Sequence, residues 1–163
     1  MLPTNFKKTI INTLIVLVIF SLDRISKIYI LKLVELENSL DIYINSYLNL
    51  YLIWNKGIAF GLFSFDKDFI YSSLTIIILA ILVIILILIF KSNNFKSYCY
   101  TIIFGGALGN VFDRIYYSAV PDFIDFHINN FHWFIFNIAD IFISIGVICL
   151  IYAEVFLDKK TKI

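Results

Sequence analysis

Four long apolar runs divide the chain, and polar or aromatic segments separate them. The runs cover residues 9 to 31, 69 to 90, 97 to 117 and 136 to 157. Each is long enough to cross a bilayer as a helix, which takes about 20 residues. The pattern predicts a membrane all-α protein with four transmembrane helices, organised as a single domain over residues 1 to 163.

A different pattern lies between the first two runs. Over residues 40 to 55, in "LDIYINSYLNLYLIWN", apolar residues alternate with polar or aromatic ones. A period of two is typical of β-strands, and tyrosine and tryptophan suit the headgroup region. We therefore expect a small sheet on the outer surface of the membrane.

Lysines mark the opposite side of the membrane. They lie before the first run, between the second and third runs, and after the fourth run: Lys7, Lys8, Lys91, Lys96, Lys159, Lys160 and Lys162. The positive-inside rule predicts cytoplasmic termini and two external segments, residues 32 to 68 and 118 to 135. The first run begins like a secretory signal peptide, but no small-residue cleavage site closes it, so we expect it to be retained.

Composition supports a membrane protein and argues against a nucleic-acid partner. Hydrophobic residues make up 61% of the chain and charged residues 15%, and the formal net charge is +1. No soluble domain of this size needs so much apolar surface. Cys99 and Cys149 lie in apolar runs without a metal-ligand neighbour, so we interpret both as buried thiols.

Two carboxylates stand out against this apolar background. Asp122 follows the third run in "AVPDFIDF", and Asp140 lies inside the fourth run in "FNIADIFISIG". An ionisable residue inside a membrane indicates function. A carboxylate pair can share one proton, so that one acid acts as base and the other as acid. This is the chemistry of an aspartic protease, with Asp125 as the competing second acid.

Further polar residues share the depth of these acids. With the predicted orientation, seven polar residues, Asp140 among them, fall in the outer part of the bilayer: Asp23, Lys27, Asn110, Asp113, Arg114, Asn137 and Asp140. Asp23 and Lys27 are four residues apart on one helix face. We expect Asp23/Lys27 and Asp113/Arg114 to be structural ion pairs that tie the helices together and support the acids.

Two glycine-containing segments accompany the polar residues. Gly105 and Gly109 form a GxxxG motif in the third run, which predicts close helix packing beside Asn110 and Asp113. In "WNKGIAFG", Asn55 precedes the small residues Gly57, Ala59 and Gly61. An amide can donate to and accept from a peptide backbone, so Asn55 is a candidate for holding a substrate.

Other kinds of site find less support in the sequence. His127 and His132 are five residues apart, lack an HExxH arrangement and are predicted to lie in a loop, so we expect no metal. Serine catalysis is not favoured either, because Ser72, Ser73 and Ser144 have no adjacent general base and the sequence lacks a GxSxG motif. A small proton-coupled transporter would need a repeat and polar residues throughout the bilayer depth, and a non-enzymatic assembly protein would leave the two acids without a purpose.

The ordered motifs "DRISK", "NKGIAFG", "GGALGNVFDR", "PDFIDF" and "FNIAD" resemble lipoprotein signal peptidase, the bacterial type II signal peptidase, over nearly the whole chain. The resemblance implies four transmembrane helices with an extracytoplasmic β-cradle and loop, in the bacterial cytoplasmic membrane. It implies cleavage of prolipoproteins just before a diacylglyceryl-modified cysteine, no cofactor, and inhibition by globomycin. Lipidated prolipoproteins and membrane lipid are the expected partners, and we expect a monomer.

By the same resemblance, Asp122 and Asp140 are the catalytic pair. The positions that line or brace the family's site are Asp23, Lys27, Asn55, Gly57, Asn110, Asp113, Arg114, Asn137 and Ala139. One departure is Pro121, where the family usually has an aliphatic residue. Because proline fixes its own φ and lacks an N–H, we expect it to reshape the loop that carries Asp122.

Overall fold

The fold combines four helices with one four-stranded antiparallel sheet. The structure, a computed structural model, describes residues 4–37, 39, 41–57, 67–92, 94–129 and 131–157. The helices are α1 (Thr4–Glu37), α2 (Lys67–Lys91), α3 (Asn94–Tyr117) and α4 (Ile138–Tyr152), and α4 continues into a π-helical turn, Ala153–Leu157. The strands are β1 (Asp41–Asn45), β2 (Leu48–Asn55), β3 (Val120–Ile128) and β4 (Phe131–Phe136).

Each predicted apolar run lies largely within one helix. Two helical segments, Tyr71–Lys91 and Ile138–Leu157, are long and apolar enough to cross a membrane by length and composition. The other two helices, α1 and α3, contain charged and amide side chains within their apolar runs, including Asp23, Lys27, Asn110 and Asp113. Large apolar side chains face outward on the helices, with Ile76, Phe90 and Ile148 all about two-thirds exposed. Such an apolar exterior suits lipid rather than water.

The sheet has the order β1-β2-β3-β4. The alternation over residues 40 to 55 correctly predicted β1 and β2, which pair across a turn at residues 46 and 47. The sheet packs on α1 because Phe123 of β3 and Ile30 of α1 form a buried apolar cluster with Leu33, Val34, Leu50 and neighbouring residues. This contact holds the second of the two segments predicted to be external, residues 118 to 135, beside the ends of the helices.

That second segment is not the loop that the sequence analysis expected. Asp122 lies within β3 and pairs with Ile53 of β2, while His127 and His132 lie opposite each other on β3 and β4. Pro121 is compatible with the strand because β4 pairs with β3 only from Ile124 onward. At Pro121 the strand is paired on one side only, which is the kind of edge position where proline is found in sheets. Asp122 therefore lies in a strand and not in a loop that Pro121 could reshape.

Some features of the sequence fall outside the described residues. They include Ala59 and Gly61 of the "NKGIAFG" motif and the C-terminal lysines Lys159, Lys160 and Lys162. At the N-terminal end of α1, the Lys8 Nζ donates to the Ser92 carbonyl between α2 and α3 at 2.8 Å. Lys96 of α3 pairs with Glu154 at 2.8 Å. These contacts place the described lysines Lys8 and Lys96 at the helix ends remote from the sheet.

Candidate active site

A buried lysine connects α1 with α3 near the sheet. Lys27 is 1% exposed, yet its ammonium group has three polar neighbours. Nζ lies 2.8 Å from an Asp23 carboxylate oxygen and 2.6 Å from Asp113 Oδ2, and it donates to Asn110 Oδ1 at 2.9 Å. An ammonium group has three hydrogens, so these partners satisfy it fully. A buried charge is tolerated when it is paired and hydrogen-bonded in this way.

Arg24 completes this ion cluster, and the sequence analysis did not assign it to the site. Its Nη2 donates to Asp23 Oδ2 at 2.6 Å and to Asp113 Oδ2 at 2.8 Å, and its guanidinium lies 4.8 Å from the centre of the Phe112 ring. A cation one turn before Lys27 on the same helix was the available signal. The cluster of Arg24, Lys27, Asp23 and Asp113 has two cations and two anions, so its formal charges cancel.

The predicted Asp23/Lys27 pair is therefore confirmed, and the predicted Asp113/Arg114 pair is wrong. Asp113 binds Arg24 and Lys27 of α1, whereas Arg114 donates to the Asn110 carbonyl of its own helix at 3.3 Å. Successive residues on a helix point about 100° apart, so Asp113 faces α1 while Arg114 does not. Arg114 lies beside the centre without entering the ion cluster.

Asp140 lies in the first turn of α4 and is held by its N-cap. Asn137 and Asp140 form a capping box: the Asn137 Oδ1 accepts from the Asp140 N–H, and Asp140 Oδ2 accepts from the Asn137 N–H, both at 3.1 Å. The other carboxylate oxygen, Oδ1, accepts from Asn110 Nδ2 at 2.8 Å. These bonds satisfy the exposed donors of the helix terminus and fix the Asp140 carboxylate at the same time.

Asp122 approaches from the sheet and is held by two amides. Its Oδ2 accepts from Asn55 Nδ2 at 2.9 Å, and its Oδ1 accepts from Asn137 Nδ2 at 2.6 Å. The residue is 3% exposed. The pKa of Asp122 is raised to about 6, chiefly because the carboxyl is buried. The hydrogen bonds from Asn55 and Asn137 and the charge of Lys27 lower the pKa, while the nearby Asp140 charge raises it. A proton on Asp122 is thus available much closer to neutral pH than on an ordinary aspartate.

Asn137 brings the two acids into one network. Its side chain donates to Asp122 while its backbone N–H donates to Asp140, and its Nδ2 also lies 3.1 Å from Asn110 Oδ1. Because Asn110 in turn accepts from Lys27, the ion cluster and the acids are continuous. The carboxylates of Asp122, on β3, and Asp140, on α4, thus both accept hydrogen bonds from the buried residue Asn137.

Two smaller residues support this arrangement. The Ala139 N–H donates to Asp23 Oδ1 at 3.2 Å, and the residue is fully buried. The Gly57 N–H donates to Asn55 Oδ1 at 2.7 Å, and its φ of +76° is a conformation that favours glycine. Both amide ends of Asn55 are therefore bound within the protein. This geometry favours a role in positioning Asp122 over the substrate-holding role that the sequence suggested.

The competing acid, Asp125, has a different environment. Its carboxylate oxygens lie 2.9 and 3.0 Å from His132 Nδ1 on β4. Its described polar contacts are with histidines rather than with Asn137 or Asp140. The structure thus groups Asp122, and not Asp125, with Asp140.

An apolar cavity of about 270 Å³ adjoins Asp140. Phe134 and Phe136 of β4 line one side, and Ile141, Ser144, Ile145 and Ile148 of α4 line the other. A cavity with apolar walls and one carboxylate suits an apolar ligand whose reactive polar group must meet that acid.

Proteins of known family resemble this chain in both sequence and fold. The lipoprotein signal peptidase of Pelagibacter ubique (strain HTCC1062) is 56% identical over 156 residues, covering 96% of this chain and 94% of that protein. The lipoprotein signal peptidase of Anaplasma phagocytophilum (strain HZ) is 42% identical over 160 residues, covering 96% and 98%.

Among solved structures, a bacterial membrane enzyme determined by the in meso method at 2.3 Å resolution has a TM-score of 0.73 and 31% sequence identity. The match covers 93% of this chain and 91% of that one. The family model described as signal peptidase (SPase) II matches residues 15 to 156. This chain belongs to the signal peptidase II family.

Proposed function

We propose that this chain is an aspartic endopeptidase that removes signal peptides from diacylglyceryl-modified prolipoproteins by cleaving just before the lipidated cysteine. Membership of the signal peptidase II family supports the reaction class. The single observation that supports the catalytic assignment is the position of Asn137, which donates hydrogen bonds to both Asp122 and Asp140.

The chemistry requires one proton between the two acids. The ionised acid takes a proton from water, the water oxygen attacks the scissile carbonyl carbon, and the protonated acid donates to the carbonyl oxygen. The C–N bond then breaks as the leaving nitrogen gains a proton. Because Asp122 and Asp140 interact electrostatically, they titrate as a pair. The raised pKa of Asp122, about 6, means that this acid takes up a proton closer to neutral pH than an ordinary aspartate does.

The other polar residues position this pair. Asn55, Asn110 and Asn137 donate to the two carboxylates, and Gly57 orients Asn55. The ion cluster holds Asn110 through Lys27 and the start of α4 through the Ala139 N–H. The cluster thereby braces α1, α3 and α4 around the two acids.

The substrate site is the region between the sheet and the apolar cavity beside Asp140. We place all four helices across the bacterial cytoplasmic membrane, with both termini in the cytoplasm and the sheet outside. The ion cluster of α1 and α3 is buried inside the bundle, as charged groups within membrane helices require. A lipid anchor in the outer leaflet then sets the scissile bond at the depth of Asp122 and Asp140.

Substitution of each acid tests the assignment. Asp122→Asn and Asp140→Asn keep the shape of the side chain but remove the proton-transfer group, so each should lower cleavage of a lipidated prolipoprotein by at least about a hundredfold. Asp41→Asn, at an exposed position on β1, is the matched control and should cleave normally. The measurement is the gel mobility of the product. Near-normal cleavage by Asp122→Asn, together with loss in Asp125→Asn, would transfer the role to Asp125.

A further inference from the structure

A second polar cluster lies on the β3–β4 hairpin, and we define it as the histidine cluster: Asp125, His127 and His132. His127 and His132 are paired across the two strands, and Asp125 precedes His127 by two residues on β3. One potential ligand atom from each residue lies within 4.8 Å of the others. The chain contains two histidines, and both belong to this cluster.

His127 gives the independent indication that this cluster binds something. The residue is 8% exposed, and its Nδ1 has no hydrogen-bond partner among the described residues. The same atom is directed toward Asp125, with 3.6 Å between Nδ1 and Oδ2, which is too long for a hydrogen bond. A buried polar atom without a partner destabilises the fold and calls for a ligand or another explanation.

The separations fit a single small cation. Zinc binds imidazole nitrogen at about 2.0–2.1 Å and carboxylate oxygen at about 2.0–2.2 Å, so ligand atoms around a tetrahedral ion lie about 3.5 Å apart. Asp125 Oδ2 is 2.9 Å from His132 Nδ1 and 3.6 Å from His127 Nδ1. The imidazole rings stack with centres 5.0 Å apart, and one ligand atom from each of the three side chains lies within 4.8 Å of the other two.

We propose that Asp125, His127 and His132 bind one divalent transition-metal ion of the zinc class. Two imidazoles and one carboxylate suit zinc or its neighbours, whereas calcium and magnesium prefer oxygen ligands alone. The His132 side chain is 57% exposed, which gives an entry path and leaves a fourth position for water. The expectation that no metal is bound rested on the missing HExxH arrangement and on placing the histidines in a loop. The strand pairing of His127 with His132 removes the second of these premises.

The alternative is that hydrogen bonds alone, without a metal ion, join these side chains of β3 and β4, and this alternative explains less of the geometry. The His132–Asp125 contact accounts for two members of the cluster but leaves His127 Nδ1 without a partner. A metal ion satisfies all three side chains and cross-links β3 to β4. Because Asp122 lies on β3, the ion would stiffen the strand that carries it, while the proposed peptidase chemistry itself requires no metal.

Cobalt is the probe for this site, because four-coordinate Co²⁺ absorbs visible light and Zn²⁺ displaces it. The experiment uses the full chain in detergent, stripped with a chelator and purified without a histidine tag. We expect visible absorption that saturates at one Co²⁺ per chain and disappears when Zn²⁺ is added. Thiolate charge-transfer bands should be absent, because Cys99 and Cys149 lie on α3 and α4 rather than on the hairpin.

Variants assign the binding to the cluster. His127→Gln and His132→Gln should each weaken Co²⁺ binding at least tenfold, while Asp122→Asn, on the same strand, should bind Co²⁺ as the wild type does. Should His127→Gln fail to fold, as judged by circular dichroism, the exposed His132 provides the second test. The proposal is overturned if wild type shows no Co²⁺ absorption, or if both histidine variants bind with unchanged affinity. Loss of cleavage in Asp122→Asn with Co²⁺ binding retained separates this site from the proposed function.

Discussion

Asn137 performs two roles through different atoms. As the N-cap of α4, its Oδ1 accepts from the Asp140 N–H. As a donor, its Nδ2 binds Asp122 at 2.6 Å. A residue that only capped the helix would need an oxygen alone, so serine or aspartate would serve equally well. The amide is required because Asp122 needs a donor at the same place.

Asn137→Ala should therefore damage both stability and turnover. We expect a loss of about 1 kcal/mol from the missing cap and a roughly ten- to a hundredfold fall in kcat from the missing bond to a charged group. Asn137→Ser separates the two effects, because its hydroxyl restores the cap but does not reach Asp122. Thermal unfolding and single-turnover cleavage are the measurements. Full recovery of kcat in Asn137→Ser would show that capping alone matters.

Sequence spacing predicted which residues belong to the candidate active site better than it predicted their hydrogen-bond and ion-pair partners. Asn137 and Asp140 are three residues apart, and this local spacing is enough for a capping box. The partner of Asp113 depends instead on how α3 is rotated against α1, which no spacing within α3 specifies. Local sequence therefore predicts Arg114 as the partner of Asp113 and does not by itself place Arg24 in the site.

At the scale of elements, the glycine face of α3 sets how closely the helices approach. An added Cβ at Gly105 would lie 3.1 Å from Ile19 Cβ, and one at Gly109 would lie 2.5 Å from Asp23 Oδ2, both on α1. On another side of α3, a Cβ at Gly106 would lie 2.6 Å from the Ala139 carbonyl oxygen of α4. The predicted GxxxG packing is confirmed, and it brings the Asp23 carboxylate against α3.

Gly109→Ala should disrupt the ion cluster more than Gly105→Ala disrupts apolar packing. The Asp23 carboxylate cannot move freely, because Arg24 and Lys27 hold it. We expect a loss of about 1–3 kcal/mol and a clear fall in turnover for Gly109→Ala. Gly105→Ala, four residues earlier on the same helix, meets an apolar side chain and should lose less of both. If Gly105→Ala and Gly109→Ala lost the same amount of melting temperature and of turnover, the proposed contact between Gly109 and the Asp23 carboxylate would be wrong.

The strands differ in how well the local sequence predicts them. β1 and β2 alternate apolar with polar residues, and this pattern predicted them. β3, "VPDFIDFHI", contains a proline and two aspartates, all unfavourable in strands, so local sequence favours a loop. Its pairing with β2 and its burial against α1 through Phe123 override that preference. These contacts are distant in sequence, so no local pattern contains them.

At the scale of the whole molecule, polarity runs from one end to the other. The described lysines Lys8 and Lys96 make their contacts at the helix ends remote from the sheet. The ion cluster, the two acids and the sheet lie toward the opposite ends. The outward faces of the helices between them are apolar, as at Ile76 and Ile148. This gradient matches a protein that meets lipid along its sides and water at two chemically different ends.

Cysteine labelling tests the proposed orientation. In a background with Cys99→Ala and Cys149→Ala, Ser46→Cys lies in the exposed turn between β1 and β2, and Ser92→Cys lies between α2 and α3. A membrane-impermeant maleimide added to intact spheroplasts should label position 46, and it should label position 92 only after lysis. The reverse pattern would place the sheet in the cytoplasm and separate the two acids from an outer-leaflet substrate.

The dependence of cleavage on lipid tests the central claim most directly. A diacylglyceryl anchor confines the substrate to the membrane and fixes the depth of the scissile bond, so less orientational freedom remains to be lost at Asp122 and Asp140. The measurement compares initial rates for one prolipoprotein with and without the diacylglyceryl group, at equal concentration in the same detergent. We expect the lipidated prolipoprotein to be cleaved at least about tenfold faster than the unlipidated one. Equal rates would contradict a signal peptidase specific for lipidated prolipoproteins.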